Sequence, residues 1–335
     1  MEVSLLIVNW NTRDWLRQCL GSIRETAGGI PHEVIVVDNA SEDGSAEMVR
    51  EEYPDVRLHA SSENEGFAKG INRAYAISSG RYVLVMNPDI TLLEGTIEGL
   101  IRFADAHPDA GMISPKLLNP DRTLQQKYYG RIPTLLTLFF LYTPLGIYLD
   151  SRMFGNRIRK RERYEIYGDF QEPLCFADGG AAFCCTLIPR RLIEQNGFMD
   201  ERFPVFFNDG DFGFRVFRSG YKAYIIPEAQ ACHYGGASIE QLDQIKYNKE
   251  YIYGMRAFYR KHRSWLYCRT VDSLLSLNLL YDLSKEGRSV LRGEKRFRDL
   301  LSLVRRFREL LSYCPPSAAR PKQGRTRKDL FAFFA

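Results

Sequence analysis

Over its first 106 residues the chain alternates short apolar runs with amphipathic helical patterns, four times in succession. Residues 4–8 (SLLIV), 33–37 (EVIVV), 56–60 (VRLHA) and 81–86 (RYVLVM) have strand length. Each precedes a segment of helical spacing: one with Trp15, Leu16, Cys19, Leu20 and Ile23 on one face, one beginning near Ser45, then 67–78 and 92–106. Uninterrupted apolar runs suit strands covered on both faces, so the pattern predicts βαβ units around a buried, largely parallel sheet. In such sheets ligands bind outside the carboxyl ends of the strands. Asp38, closing VIVVD, and Asp89, closing VLVMNPD, both fall at that edge.

Composition bounds the rest. At 335 residues, 45% hydrophobic and 26% charged, the chain can build one sizeable core plus an appendage. The net charge of +5 averages two unlike parts: 285–328 holds fourteen Lys/Arg against four Asp/Glu, which leaves the remainder at −5. Seven cysteines, without CxxC spacing, read as reduced core thiols of a cytosolic protein. MEVSLLIVNWN lacks the basic region and long apolar stretch of a signal peptide and reads as a first strand.

A carboxylate is an acceptor only, so Asp38 at this edge can take N3–H of uracil or thymine while refusing cytosine; alternatively it forms an Asx turn with Ser41 and caps the next helix. Asp89 fits either a turn in Asn87-Pro88-Asp89 or a Mg²⁺ or Mn²⁺ ligand shared with substrate phosphates. Between them, Asn64, Gly66, Gly70 and Asn72 in SENEGFAKGINRAYA combine amide donors with close backbone approach near a helix start, a place suited to anions or simply to tight helix–sheet packing. The segment is neither a Walker loop nor a GxGxxG fingerprint.

Taken together, SLLIVNWN, VIVVDNASEDGS, NEGFAKGIN, YVLVMNPD, FADGGAAFCCTLIPRRLIEQNGFMDERF, FNDGDFGFR, GYKAYIIPEA and CHYGGAS follow the order found in family 2 glycosyltransferases. The chain resembles the bacterial rhamnosyltransferase-like branch over about residues 3–262. The resemblance implies the GT-A fold, a nucleotide-binding α/β half joined to an acceptor half, and inverting sugar transfer from a nucleotide diphosphate. It makes Asp38 the base reader, Asp89 the metal-binding aspartate, and Asn64, Gly66, Phe67 and Asn72 part of the nucleotide-sugar site. His233 corresponds to a histidine that completes the metal or diphosphate site; it also reads as a histidine ending a strand before Gly235-Gly236.

Two departures from the family pattern stand out. Asn87-Pro88-Asp89 has one carboxylate where many relatives carry Asp-x-Asp, so the metal, Mg²⁺ or Mn²⁺, leans on diphosphate, water and His233. Asn208-Asp209-Gly210-Asp211 replaces Glu-Asp-x-Asp, which puts Asp209 where the general base is expected. Asp211 and Arg215, at i,i+4, pair if a helix starts near Gly210, making Asp211 the orienting acid; both acids also suit a helix N-terminus. Asp178 and Gly179 correspond to an acceptor-binding loop, or to a strand-entry turn.

The expected organisation is a GT-A domain over 1–262 and a mainly helical, basic region over 263–335. LLTLFFLYTPLGIYL (135–149) is too short and interrupted to span a membrane. With the basic cluster that follows, and the basic amphipathic pattern at 297–311, it suits either an anionic membrane surface or packing on the body. Charge is the sole feature favouring nucleic acid, and none is expected. The expectation is an inverting, metal-dependent transferase, peripheral at the cytoplasmic face of the membrane, moving sugar from a UDP or dTDP donor, with dTDP-rhamnose preferred, to a lipid-linked or growing glycan. The alternatives are a nucleotidyltransferase, which would need a Gly-rich basic N-terminal loop that SLLIVNWNTRDW is not, and a non-catalytic nucleotide-sugar-binding scaffold.

Overall fold

A computed structural model describes residues 1–125, 132–156, 169–176, 183–236 and 244–292, with isolated positions between 298 and 312. Strands β1 (Val3–Asn9), β2 (His32–Asp38), β3 (Arg57–Ala60) and β4 (Tyr82–Met86) form the parallel part of one sheet, joined by helices α1 (Arg13–Thr26), α2 (Ser45–Glu52) and α3 (Phe67–Ala76). All seven residues of β1 are buried, as a strand covered on both faces requires.

The sheet is less parallel than the sequence pattern predicts. Beyond β4 come β5 (Ile90–Leu92), α4 (Thr96–Ala106), β6 (Ala110–Leu118), α5 (Leu135–Tyr142), α6 (Pro144–Met153), β7 (Leu174–Phe176), β8 (Cys185–Pro189), α7 (Arg190–Asn196), α8 (Asn208–Arg218) and β9 (Lys222–His233). Among the described residues the order is β3-β2-β1-β4-β8-β6-β9-β5, with β7 also on β9. β8 runs antiparallel to β4 and β6, and β5 and β7 run antiparallel to β9. The helix expected from residue 92 begins at Thr96, because Ile90–Leu92 is taken into the sheet by β9.

One core layer joins the sheet to α1, α2 and α4, and a second joins it to α3, α7 and α8. A third cluster ties Leu138 of α5 and Phe203 and Phe207, which precede α8, to α9 (Gln244–His262) and α10 (Trp265–Leu291) through Met255, Phe258, Tyr259, Val271 and Leu275. The 135–149 segment is thus two helices, with Thr143 accepting from Gly146 N and Pro144 at the first helical position. Leu138 and Phe140 are buried, while Leu136, Leu145 and Tyr148 face outward. α10 begins just after residue 262 but shares this third cluster, and in the basic tail Glu309 meets Lys249 of α9 at 3.0 Å. Most of the tail's amphipathic pattern and the basic run after Asn156 lie outside the described residues. The six described cysteines are free thiols.

Candidate functional site at the carboxyl edge of the sheet

Asp38 is the last residue of β2, in register with Asn9 at the end of β1. It is 2% exposed. Asn9 Nδ2 and Ser41 Oγ donate to its Oδ1 at 2.8 and 2.7 Å, and Ser41 N donates to Oδ2 at 3.0 Å. Thr12 Oγ1 donates to Asn9 Oδ1 at 2.6 Å and so turns the Asn9 amide nitrogen toward Asp38. Of about four acceptor positions on a carboxylate, one on Oδ2 is left for a ligand. The Asx-type turn is therefore real and does not exhaust the group. The expected cap is not: α2 starts at Ser45, whose backbone and hydroxyl donate to Asp43.

Asn39, not singled out from the sequence, bridges two parts of this edge. It is 2% exposed, its Nδ2 donates to Gly66 O at 3.1 Å, and its Oδ1 has no partner among the described residues. Its place next to Asp38 was the available signal. Gly66 starts α3 at φ 86°, where a Cβ would lie 3.0 Å from Pro204 Cβ. Asn64 Oδ1 accepts from Gly66 N at 3.0 Å, and Phe67 N donates to Pro204 O at 2.8 Å. Asn72 differs from the expectation: its Nδ2 donates to Met199 O and Glu201 Oε1, and its Oδ1 accepts from Met199 N. With both amide hydrogens spent, it braces the 199–201 loop instead of offering donors to a ligand. Gly70 likewise packs on Val8 of β1, where a Cβ would come within 2.8 Å.

At the end of β4 the chain turns through Asn87-Pro88-Asp89, with Asn87 N bonded to Cys184 O at 2.8 Å, and enters β5. β5 pairs Ile90 with His233, the last residue of β9. Asp89 and His233, 144 positions apart in the numbering, are thereby brought together, with Asp89 Oδ1 3.5 Å from His233 Nε2. That nitrogen is buried and makes no hydrogen bond among the described residues. A carboxylate and an unbonded imidazole nitrogen facing each other suit a divalent cation. Among the described residues no three or more His, Cys, Asp or Glu are arranged so that they alone could hold a metal ion. Such a pair fits Mg²⁺ or Mn²⁺, which take a few protein ligands and complete their shell with phosphate oxygens and water.

Helix α8 begins two residues before Gly210, at Asn208, behind Phe207 at φ 68°. Asn208 is buried; its amide donates to Val205 O at 2.8 Å and its Oδ1 accepts from Asp209 N. The glutamate of the family pattern would lack that donor. Asp209 is half-buried, and its Oδ1 accepts from Gly210 N at 2.7 Å. Burial pushes its carboxyl up, offset only in part by backbone hydrogen bonds. Cys184 feels both acids: burial first, then Asp89, then Asp209, push its thiol up to about 12. Both acids thus act in the same direction on one buried thiol.

Asp211 has a different environment. Fully buried, it accepts from Arg215 Nε at 2.9 Å, Lys261 Nζ at 2.7 Å and His262 Nε2 at 2.7 Å. Burial alone would raise its carboxyl; hydrogen bonds from His262 and Lys261 and the Arg215 charge outweigh it and hold the group below its usual range. Arg215 also donates to the carbonyls of Asn196, Gly197 and Phe198. Asp211 therefore locks α8 to α9 and to the loop before Met199. Lys261 and His262 carry no sequence signal for this role. Asp178 and Gly179 lie outside the described residues.

Residues 4–165 match the model described as Glycosyl transferase family 2. The chain carries a family 2 glycosyltransferase domain. The enzyme is 27% identical over 215 residues to an N-acetylglucosaminyl-diphospho-decaprenol L-rhamnosyltransferase of Mycobacterium tuberculosis, spanning 61% of this chain and 67% of that protein. Two solved structures share the GT-A fold. S. aureus TarS 1-349 in complex with UDP-GlcNAc superposes with a TM-score of 0.52 at 16% identity, over 94% of this chain and 82% of that one. The mannosyltransferase PcManGT from Pyrobaculum calidifontis, in complex with GDP-Man and Mn²⁺, gives 0.51 at 16% identity, over 93% and 87%. The matched family segment contains Asp38, Asn64, Gly66, Phe67, Asn72 and Asp89, whereas Asp209, Asp211 and His233 lie beyond it.

Proposed function

We propose that the enzyme transfers a sugar, with inversion, from a UDP or dTDP donor to a lipid-linked or growing cell-surface glycan, with dTDP-rhamnose the preferred donor. The observation that carries this reading is an acceptor-only carboxylate (Asp38) and a carboxylate–imidazole pair (Asp89 and His233) at the carboxyl edge of one sheet, with a carboxyl raised by burial (Asp209) in the first turn of α8. The similarity to the mycobacterial rhamnosyltransferase supports the sugar and the acceptor class.

In this reading the free position on Asp38 Oδ2 accepts N3–H of the base, and Asn39 and Gly66 hold the loop that borders it. Asp89 and His233 would hold a divalent cation, Mg²⁺ or Mn²⁺, whose charge would offset that of the departing diphosphate. Asp209 takes the proton from the acceptor hydroxyl as that oxygen bonds to the anomeric carbon and the carbon–oxygen bond to the diphosphate breaks. A carboxyl raised by burial is a better base than an exposed one, provided it is ionised at the working pH. Asp211 orients α8 and makes no contact with substrate. Asp178 and Gly179 are proposed acceptor contacts.

Residues 1–262 would hold both substrates, and 263–335 would help to hold the enzyme at the cytoplasmic face of the membrane. No helix among the described residues is long and apolar enough to cross a membrane. Support for a peripheral surface comes from Trp265 and Leu266, 76% and 68% exposed at the start of α10, with Leu136 and Leu145 also exposed and Arg263 and Arg269 nearby in the chain. The test of the donor reading is a panel of nucleotide sugars, each with and without Mn²⁺, scored by melting temperature. A donor of this class must raise it by mass action, more so with metal; a panel without any stabilising UDP or dTDP sugar would refute the donor assignment.

A further inference from the structure

Gln125 holds His233 by two contacts. After β6 the chain reverses through a tight turn, with Asn119 N bonded to Thr123 O and Leu118 bridged to Leu124, so that Gln125 returns to β6, donating its backbone N–H to Leu117 O. β6 lies parallel to β9, with Leu118 in register with Cys232, and the returning Gln125 side chain meets His233. Its Oε1 lies 2.7 Å from His233 Nδ1, and its Nε2 lies 3.0 Å from His233 O.

The orientation of this amide follows from what surrounds it. Gln125 Nε2 faces two acceptors, His233 O and, at 3.5 Å, Asn119 Oδ1. Asn119 is itself oriented by its Nδ2 donating to Thr123 Oγ1 at 2.9 Å. Flipping the Gln125 amide would oppose its oxygen to both. Oε1 therefore faces Nδ1, and an oxygen there requires the imidazole hydrogen on Nδ1. In the neutral ring the lone pair is then on Nε2, the buried nitrogen that has no hydrogen-bond partner among the described residues and faces Asp89 at 3.5 Å. That distance is longer than an N–H···O bond from a ring nitrogen.

We propose that Gln125 is a positioning residue: it fixes the His233 tautomer and ring so that Nε2 presents its lone pair to a divalent cation beside Asp89, an inference that rests on the metal reading above. Partners of this kind on the far nitrogen of a ligating histidine orient the ring and typically carry 10–100-fold in metal affinity, about the effect expected here.

The test uses the full chain. In ¹⁵N-histidine-labelled, metal-free protein, long-range ¹H–¹⁵N spectra report the tautomer of each of the five histidines, with His233 assigned through His233→Ala. The expected result is that the neutral form of His233 carries its hydrogen on Nδ1. Gln125→Met keeps the length and loses the acceptor; it should shift His233 toward the Nε2–H form and weaken Mn²⁺ binding in the presence of UDP, measured by calorimetry, by about 10–100-fold. Gln125→Glu keeps an oxygen toward Nδ1 and should retain the Nδ1–H tautomer, while its second oxygen, set against His233 O and Asn119 Oδ1, costs stability. A melting temperature close to that of the wild type confirms that Gln125→Met is folded. A wild-type His233 carrying its proton on Nε2, or a Gln125→Met protein with unchanged spectrum and unchanged Mn²⁺ titration, overturns the assignment. Asp89→Ala and His233→Ala separate the two levels. If both weaken Mn²⁺ binding while Gln125→Met does not, the Gln125 role alone is lost; if neither does, the metal site itself is misassigned and the proposal falls with it.

Discussion

Replacing Asp209 and Asp211 in turn by asparagine separates chemistry from architecture. Asp211 is enclosed by Arg215, Lys261 and His262, and both cations are largely buried, with side-chain exposures of 17% and 20%. Removing one partner of a buried pair costs about 3–5 kcal/mol. Lys261 keeps Asp200 at 2.7 Å and Arg215 keeps three carbonyls, which argues for the lower end. Asp211→Asn should then lower the melting temperature by roughly 6 °C, at about 2 °C per kcal/mol for a chain of this size. No Lys, Arg or His pairs with Asp209 among the described residues, and burial raises its carboxyl. A carboxyl raised by folding binds its proton more tightly when native, so the ionised form costs stability at neutral pH and the amide does not. Asp209→Asn should leave the melting temperature unchanged or higher, preserve donor affinity, and lower turnover at least ~10²-fold, about 2.7 kcal/mol of barrier. The assays are a thermal melt, donor calorimetry and single-turnover sugar transfer on both variants. Near-normal turnover in Asp209→Asn would refute the reasoning, as would an Asp211→Asn protein that is inactive yet fully stable and donor-competent.

Three further outcomes are expected. Asp89→Ala should abolish the Mn²⁺ dependence of donor binding, and calorimetry showing that dependence intact would reduce Asp89 to a turn residue. Deleting 293–335 should leave donor hydrolysis largely intact and weaken association with anionic liposomes at low salt; equal liposome binding by the shortened and full chains would remove the tail from the membrane reading. Glu33 accepts from Ser4, Ser79 and Arg57, and these bonds outweigh burial to bring its carboxyl down to about 2. Its stabilisation is present above the unfolded carboxylate value of about 4.3 and is lost as pH falls toward 2, so Glu33→Gln should destabilise at neutral pH but hardly at pH 2 in equilibrium denaturation.

The βαβ frame and the edge carboxylates were legible because their signals are local. Period-two and period-3.6 patterns lie within the residues that form each element, Asp38 follows its apolar run directly, and Asp89 follows within three residues. The Asp211–Arg215 pair was equally local, one helical turn apart. What the pattern missed was partnership at long separation. Asn72 was read as a ligand donor, and its amide is spent on a loop 127 residues away. The pattern starts a helix at Leu92, whereas the edge of β9 takes Ile90–Leu92 as a strand.

Sequence alone thus determined which carboxylates follow the apolar runs and that the chain up to Met86 is wound as parallel βαβ units. Tertiary structure decided who meets whom: that β9 delivers His233 to Asp89, that Gln125 grips that histidine, and that Lys261 and His262 reach Asp211 from α9. The division is physical. A strand's or helix's periodicity is set by its own backbone geometry and side chains, whereas contact between distant side chains depends on strand order and register, fixed only when the two faces of the sheet are covered and the apolar layers close together.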